Sequence, residues 1–377
     1  MFLTALLIFI AFVVFVWLAR WGWRFVRAAA ALGYLANGLD SPLKRFLYRI
    51  EVDSGHYPHG DEGQMPYLVY RPLAREVAPA IVLLHGATPH GEEHPALDQL
   101  ARALAHTGLL VFVPRLPRLK AVLIDETNVY SMQLFYRFIQ GDERVVPGRI
   151  SVAGTSFAGG LLLKALLDPL MQQPPPRAVL AYGSYCDLET TLRFVLTGRL
   201  EAQGTVTSVE PDRWAQVIFF YNYLDHIPGE FDKQVLRELL EYYIQDRVEE
   251  GDAARDQLQP SERRVADLIL TPGNPDSTTL AEEVLQHARP VLQDLSPSYF
   301  YSQIHFPFWV LHGRHDLMVP YTEALALKQL LPEQVKMYVT NLYSHRDLGN
   351  NSGRWQTVRD MVGLVAYFGR FLHRVEG

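Results

Sequence analysis

Cysteine is nearly absent from this sequence, and so are clusters of basic residues. The 377 residues include one cysteine, Cys186. A single thiol cannot form an intramolecular disulfide or supply a cysteine-rich metal site. Acidic residues outnumber lysine and arginine by 41 to 35, for a formal net charge of −6. Because nucleic-acid binding requires positive charge to neutralise phosphates, nucleic acid is not an expected partner.

The N-terminus lacks charge altogether. No charged side chain occurs in residues 1–19, which are almost all aliphatic or aromatic. A helix rising about 1.5 Å per residue would carry this segment across roughly the 30 Å hydrocarbon layer of a bilayer. The pattern predicts a transmembrane anchor over 1–19 and a juxtamembrane segment over 20–47. The alternative is a cleaved signal peptide, which the missing charged n-region disfavours.

Aromatic and basic residues gather where the apolar run ends, as is typical of side chains at the headgroup level. Because positive residues favour the cytoplasmic side of a membrane, we expect a single-pass membrane protein whose remaining chain is cytoplasmic. The residues concerned are Trp17, Trp21, Trp23, Arg20, Arg24 and Arg27.

Short, continuous apolar runs bounded by glycine or proline alternate with amphipathic helical patterns along much of the chain. Runs of this kind indicate strands buried on both faces, which is the property of a parallel sheet covered by helices. The sequence therefore predicts an α/β fold. The runs cover 80–84, 109–113, 150–153, 178–182, 308–312 and 335–340.

The alternation stops over 188–297, where the patterns are helical and no buried-strand run occurs. Helices are expected over 214–225, 233–249 and 279–288, the last opened by a possible capping box from Thr279 to Glu282. The segment is predicted to be a helical insertion. It divides the body of the chain into a first part, 48–187, and a second part, 298–377.

One buried strand leads into the small-residue sequence Gly154-Thr155-Ser156-Phe157-Ala158-Gly159 and then into a helix. This segment resembles the nucleophile elbow of the α/β-hydrolase superfamily, in which a serine occupies a strained turn flanked by small residues. The second glycine of the usual GxSxG pattern is replaced by Ala158. The resemblance implies an α/β-hydrolase fold with Ser156 as the nucleophile.

A second buried strand ends in His85-Gly86-Ala87 and resembles the oxyanion loop of the same superfamily. It implies that the backbone N–H groups of Ala87 and Phe157 hold the substrate oxyanion, and that His85 is structural. The next residues offer possible metal ligands, but their glycine and proline favour a loop over a helix presenting both histidines. No metal or other cofactor is expected. Those residues are His90, Glu92, Glu93 and His94.

The last two strands carry the remaining candidates. The segment from Phe308 to Pro320 resembles the superfamily strand that ends in the triad acid, here Asp316, although Asp187 after the preceding strand is an alternative acid. The loop after the final strand carries His345, where the superfamily places its base. A serine hydroxyl needs such an imidazole to remove its proton and a carboxylate to orient the imidazolium.

The resemblance covers about 48–187 and 297–377, and the insertion lies where many members carry a lid. It implies a serine hydrolase acting through an acyl-enzyme, carboxylesterase- or lipase-like. Because a domain tethered to a bilayer would meet amphiphilic esters at high local concentration, we expect a small-molecule or lipid-like substrate that is apolar or amphiphilic. An acyltransferase or peptidase with the same triad, and a catalytically silent, membrane-tethered binding module, are the alternatives. Several apolar residues of the insertion would either line an acyl pocket or fill the core: Leu192, Phe194, Trp214, Phe219, Phe220, Tyr221 and Tyr223.

Overall fold

The computed structural model describes residues 21–60, 63–202, 204–210, 212–271, 273–342 and 354–377. The anchor predicted over 1–19 lies outside these residues. Within the part that is described, no helix is both long enough and apolar enough to span a membrane.

An eight-stranded sheet with the order β1-β2-β4-β3-β5-β6-β9-β10 forms the centre of the protein. The two pairs that involve β2 are antiparallel, and every other neighbouring pair is parallel. A separate two-stranded hairpin, β7-β8, was not predicted. The strands are β1 Ile50–Pro58, β2 Gln64–Pro72, β3 Ala78–Leu84, β4 Leu110–Pro114, β5 Val145–Thr155, β6 Val179–Tyr182, β7 Arg199–Ala202, β8 Thr205–Ser208, β9 Phe308–Gly313 and β10 Val335–Thr340.

The central strands are apolar throughout because both faces of the sheet are covered. Successive side chains of a strand point to opposite faces. In β3, Val82 and Leu84 therefore belong to one hydrophobic core, and Ile81 and Leu83 belong to another. The continuous apolar runs that predicted a parallel sheet have this double burial as their cause.

Helices cover the two faces unequally. Helices α1, α2 and α14 pack on one face, whereas α4, α5 and most of the insertion share the core of the other. The helices are α1 (21–37), α2 Pro95–Ala105, α3 Pro117–Lys120, α4 Thr127–Ile139, α5 Phe157–Ala165, α6 Leu188–Thr197, α7 Arg213–Asn222, α8 Lys233–Ile244, α9 Val248–Arg255, α10 Pro260–Leu270, α11 Pro275–Leu295, α12 Pro297–Phe300, α13 Thr322–Leu330 and α14 Arg354–Glu376.

Helices α6 to α12 fill the chain between β6 and β9, and their bounds correct two sequence predictions. The capping box at Thr279 is wrong: α11 starts at Pro275, and the side chain of Asn274 caps it. The helix expected over 233–249 is two helices, α8 and α9, interrupted near Asp246, whose φ of 61° is left-handed. The predicted division of the chain at 188 and 297 stays a prediction.

The apolar residues proposed for an acyl pocket fill the core instead. Six of them are at least 94% buried, and Trp214 packs against the core from its edge. Their helical spacing reflects the packing of α6 and α7 onto the rest of the insertion, which is the commoner reason for such spacing. The six are Leu192, Phe194, Phe219, Phe220, Tyr221 and Tyr223.

Two of the arginines expected at the membrane headgroups instead join α1 to α14. Arg27 is 4% exposed; its guanidinium donates to Glu376 Oε2 at 2.6 Å and to the carbonyl of Thr107 at 2.6 Å. Arg24 Nε donates to the same carboxylate oxygen at 3.2 Å. Burial would raise the pKa of Glu376, but these two guanidiniums outweigh it and hold that pKa below its ordinary value.

We predict that Glu376→Gln lowers the free energy of unfolding by about 3 kcal/mol, because it leaves the buried Arg27 guanidinium without its counter-charge. Chemical denaturation at pH 7 measures the change. A carboxyl whose pKa is depressed by folding stabilises above its unfolded pKa, and this stabilisation is lost as the pH falls through the folded value. The difference between the two proteins should therefore shrink below about pH 4.

The matched control is Glu51→Gln, which breaks an exposed pair with Arg71. Exposed pairs contribute up to about 1 kcal/mol, so this variant should unfold almost like the parent. Equal effects of the two substitutions would contradict a structural role for Glu376.

Candidate active site

Ser156 occupies a strained turn between β5 and α5. Its φ of 54° and ψ of −130° lie outside the regions that L-residues commonly adopt. Its N–H donates to the carbonyl of Tyr182 at 2.8 Å, and its carbonyl accepts from the N–H of Gly159 at 3.0 Å. Backbone bonds to the neighbouring strand and to the following helix therefore hold the serine in this conformation.

Close backbone approaches explain which positions near Ser156 must be small. A methyl group on Gly154 would lie 2.6 Å from the carbonyl oxygen of Ala158, and one on Gly159 would lie 2.5 Å from Ser184 Oγ. A methyl group on Gly86 would lie 2.9 Å from Ser156 Cβ. The contact therefore falls on Gly159, one position beyond the usual second glycine, and Ala158 fits as a fully buried residue.

Two backbone N–H groups near Ser156 are available for a ligand. Ser156 is the N-cap of α5, so the N–H of Phe157 lies in the first turn, where helical N–H groups have no partner within the helix. No hydrogen bond between described residues uses the N–H of Phe157 or that of Ala87. Donors at a helix N-terminus suit a developing negative charge.

His85 is a buried, neutral histidine that holds the loop carrying Ala87. Its Nδ1 lies 2.8 Å from the carbonyl of Gly86, and its Nε2 lies 3.0 Å from the N–H of Leu116. These partners assign the proton to Nδ1, which donates, while Nε2 accepts. Burial lowers the pKa of His85 to about 4, so the ring is neutral at pH 7.

Glu92 ties the same loop to the segment after β4. Arg115 Nε donates to Glu92 Oε1 at 2.8 Å, and Lys120 Nζ lies 3.5 Å from Oε2. Burial would raise the pKa of Glu92, but its bonds to Arg115 and the two positive charges hold that pKa below its ordinary value. Both carboxylate oxygens thus have cationic partners. Sequence reasoning missed Arg115 and Lys120, which follow the next strand.

Asp316 lies in a tight loop after β9 and is 4% exposed. Its Oδ1 accepts hydrogen bonds from the N–H groups of Met318 and Val319, both at 2.9 Å. His312, fully buried in β9, places Nε2 2.8 Å from the carbonyl of Val319 and 3.6 Å from Asp316 Oδ2. These bonds tie the loop both to β9, through His312, and to itself, through Asp316. His312 was not singled out from the sequence, although it precedes Asp316 by four residues.

Asp187, the alternative acid, uses both of its carboxylate oxygens in local structure. Oδ1 caps α6 by accepting from the N–H groups of Glu189 and Thr190, at 2.8 and 3.2 Å. Oδ2 accepts from the hydroxyl of Ser298 at 2.7 Å. This carboxylate fixes the point where the insertion leaves the sheet.

A buried carboxylate that sequence reasoning missed lies beside Asp187. Glu323, in α13, accepts from the N–H groups of Cys186 and Asp187 at 2.9 and 2.8 Å and from the hydroxyl of Thr190 at 2.7 Å. Burial raises the pKa of Glu323. Its three bonds join α13, which follows the Asp316 loop, to the end of β6.

Ser156 and Asp316 follow strands whose ends are aligned across the sheet. Thr155 pairs with Tyr182, Tyr182 with Leu311, and Leu311 with Tyr338. The segments after β5, β9 and β10 therefore leave the same edge of the sheet. His345 follows β10 but lies outside the described residues, so its place at this edge stays a prediction.

The insertion packs onto the loops at this edge. Met318, two residues after Asp316, forms a small cluster with Val195 of α6 and Ala215 of α7. At the end of α7, the amide of Asn222 accepts from the N–H of Ile124 at 2.8 Å and donates to the carbonyl of Val122 at 2.9 Å. Helices α6 and α7 therefore lie against the loops after β4 and β9.

We predict that Gly86→Ala slows the reaction of Ser156 with a fluorophosphonate by about 100-fold, because the added methyl group displaces the serine and misplaced reacting groups cost roughly that factor. The second-order labelling rate measures the effect. Gly141→Ala is the control, since its methyl group would meet only the Phe138 carbonyl at an ordinary 3.8 Å. An unchanged rate in a folded Gly86→Ala protein would contradict the close approach.

No protein-family model matches the sequence, and no curated protein matches it. Solved structures match its fold. An uncomplexed acylaminoacyl peptidase from Pyrococcus horikoshii has a TM-score of 0.52 and 14% identity over 88% of this chain and 42% of that one. The orthorhombic crystal form of that peptidase has a TM-score of 0.53 and 14% identity, covering 88% and 43%.

A third match is an acylaminoacyl peptidase in complex with Z-Gly-Gly-Phe-chloromethyl ketone, with a TM-score of 0.51 and 14% identity over 87% of this chain and 42% of that one. The chain spans less than half the length of these three structures. At such low identity the likeness concerns the fold.

Proposed function

Because the chain has the α/β-hydrolase fold that its sequence predicted, we propose that it is a serine hydrolase that cleaves an ester-like acyl bond through an acyl-enzyme. The observation that carries the proposal is the strained Ser156, set at a helix N-terminus beside two available N–H groups. Strain of this kind costs on the order of 1–3 kcal/mol and is typical of functional sites.

In the proposed reaction, His345 takes the hydroxyl proton of Ser156 as the serine oxygen attacks the acyl carbonyl, and Asp316 stabilises the imidazolium. The N–H groups of Ala87 and Phe157 bind the oxyanion of the tetrahedral intermediate. His345 then gives its proton to the leaving alkoxide, and the ester bond breaks. Water attacks the acyl-enzyme in the same way and releases the carboxylic acid and free Ser156.

The hydrogen bonds favour Asp316 over Asp187 as the orienting acid. Both oxygens of Asp187 are engaged, by the first turn of α6 and by Ser298. In Asp316, the two backbone N–H groups bond Oδ1, and His312 Nε2 lies 3.6 Å from Oδ2, so the plane of the carboxylate is fixed at the end of the strand that neighbours β10. A fixed carboxylate near the end of β9 meets the requirement for orienting a base from the loop after β10.

An ester is the substrate proposed first because an alkoxide is expelled from the tetrahedral intermediate, as the acyl-enzyme forms, more readily than the amide anion of a peptide would be. A peptidase is the second candidate, and the acylaminoacyl peptidases with the same fold are the observation that favours it. The two candidates share every residue of the proposed machinery and differ only in the group that leaves.

We predict that a fluorophosphonate labels the protein, that Ser156→Ala abolishes labelling, and that Asp316→Asn lowers kcat/KM on an ester by roughly 1,000- to 10,000-fold. Asp187→Asn is the control, and it should stay within about threefold of the parent because asparagine caps a helix as well as aspartate does. A folded protein that resists labelling would favour the alternative of a silent binding module.

Substrate screening separates the two enzymes. Nitrophenyl esters of increasing acyl length and N-acylated peptides are offered to the same preparation, with Ser156→Ala as the blank. An esterase cleaves the esters and leaves the peptides intact. Cleavage of the peptides at a rate comparable to that of the esters would replace the first candidate with the second.

Residues 1–19 are proposed to anchor the protein in a membrane, with the catalytic body in the cytoplasm. We predict that a reporter active only in the cytoplasm works when it is fused after Gly377. The control is a reporter active only outside the cytoplasm, fused at the same position, which should stay silent. The reverse pattern would contradict the orientation.

A further inference from the structure

A groove of about 790 Å³ lies where the parallel strands begin, at the end of the sheet opposite Ser156. It runs along the start of β10 and the last turns of α14, and its lining includes Trp309, the second residue of β9. Ser156, by contrast, follows the last residue of β5. The groove is therefore separate from the proposed catalytic site.

The groove is basic in an acidic protein. Its lining includes five lysines and arginines and one histidine, and no aspartate or glutamate. Within the described part of the chain, none of the five cations forms an ion pair, whereas the nearby Glu376 is already paired with Arg24 and Arg27. The groove thus presents uncompensated positive charge. The five cations are Arg177, Lys328, Lys336, Arg370 and Arg374.

Two aromatic side chains, each only 6% exposed, form the floor of the groove. Trp309 meets Tyr367 edge to face at 5.0 Å, and Lys336 lies over the Trp309 ring at 5.1 Å. Arg177 Nε donates to the carbonyl of Arg374 at 3.2 Å, which joins the two walls. A cationic rim above an aromatic floor suits a ligand with an anionic group and an apolar part.

The helix dipole opposes an anion here, but only weakly. The C-terminus of α14 contributes about half a negative charge. Arg370 and Arg374 in the last turns of α14 each contribute a full positive charge, and Arg177 adds a third from the neighbouring segment. The balance therefore favours an anion.

The position of the groove identifies the source of that anion. Arg24 and Arg27 of α1 bond Glu376, one residue before Gly377, and Gly377 lines the groove. The described part of α1 begins at Trp21, one turn before Arg24, so the start of this helix lies at the same end of the sheet as the groove. A membrane that holds residues 1–19 would lie against the groove.

We propose that this groove binds the phosphate-bearing headgroup of an anionic membrane phospholipid. The choice of a lipid over a soluble phosphate rests on the proposed membrane anchor, whereas the anion site rests on the groove alone. The headgroup phosphate lies among the guanidiniums of Arg177, Arg370 and Arg374.

Titration of the purified full-length chain in neutral detergent tests the proposal. The chain carries Ser156→Ala so that no lipid is consumed, and calorimetry measures binding of dihexanoyl phosphatidylglycerol, dihexanoyl phosphatidylcholine and inorganic phosphate. Saturable binding of phosphatidylglycerol is expected, with much weaker binding of the other two. Since no turnover is required, the result is independent of whether the protein is a hydrolase.

Arg370→Ala/Arg374→Ala should weaken phosphatidylglycerol binding by about 25-fold, since each basic residue near an anionic headgroup contributes about fivefold. The control is Arg137→Ala/Arg264→Ala, which removes two exposed arginines from α4 and α10. It should bind like the parent. Circular dichroism establishes that both double variants are folded.

Three results would overturn the proposal. Equal binding by the groove variant and its control would remove the site from the groove. Phosphatidylcholine binding as tight as that of phosphatidylglycerol would remove the role of charge. Inorganic phosphate binding as tight as phosphatidylglycerol would reject the lipid as the source of the anion.

Discussion

The turn at Ser156 is the constraint on which the rest of the site depends. Its left-handed backbone conformation costs on the order of 1–3 kcal/mol, and it persists because the surrounding strands and helix fix the course of the backbone on both sides of the serine. Strand β5 lies in the middle of the sheet, and α5 starts at once behind it. The carbonyl of Tyr182, the last residue of β6, accepts the hydrogen bond of the Ser156 N–H. On the other side of β5, Gly86, which follows β3, lies against Ser156 Cβ. The glycines are therefore required by distance and not by flexibility.

The loops around this turn are held by buried polar groups, each with partners from another segment. His85 bonds the start of α3, Arg115 and Lys120 hold Glu92, His312 closes the Asp316 loop, and Glu323 joins α13 to β6. An unsatisfied buried polar group costs about 1–3 kcal/mol, so each group favours one loop conformation over its alternatives. These bonds hold four loops, which follow β3, β4, β6 and β9.

Strands β3 to β6 and β9 were predictable because their burial on both faces appears directly as apolar runs. Helix α4 was missed for the opposite reason, since Asn128, Ser131 and Gln133 are buried and blur its periodicity. Those polar side chains are tolerated because they are bonded, for example Ser131 to His59 Nε2 at 2.7 Å. The start of α11 was misplaced because the capping-box pattern at Thr279 was used, whereas the helix is capped by Asn274, which is followed by a proline, a typical first helical residue.

For the site, local motifs sufficed to predict the turn at Ser156 and the loop at Gly86, because their geometry depends on adjacent residues. Contacts between distant segments were beyond the sequence. Arg24 and Arg27 follow an apolar run, which indicated a role at the membrane headgroups. In the structure both pair with Glu376. The basic groove was hidden for the same reason, since its cations come from four segments that are each unremarkable alone.

The amino and carboxyl ends of the parallel strands have different surroundings, and this difference bears on how a substrate reaches Ser156. From Arg149, whose guanidinium donates to the carbonyl of Glu376, β5 rises about 3.3 Å per residue to Ser156, a distance of roughly 20 Å. The basic groove lies at the amino ends of the parallel strands, and the serine lies at their carboxyl ends. With a membrane against the groove, as proposed, a substrate taken directly from the bilayer would have to travel this distance to reach Ser156. A substrate that arrives from the aqueous phase would not. The length of β5 therefore sets the distance between the basic groove and the proposed nucleophile.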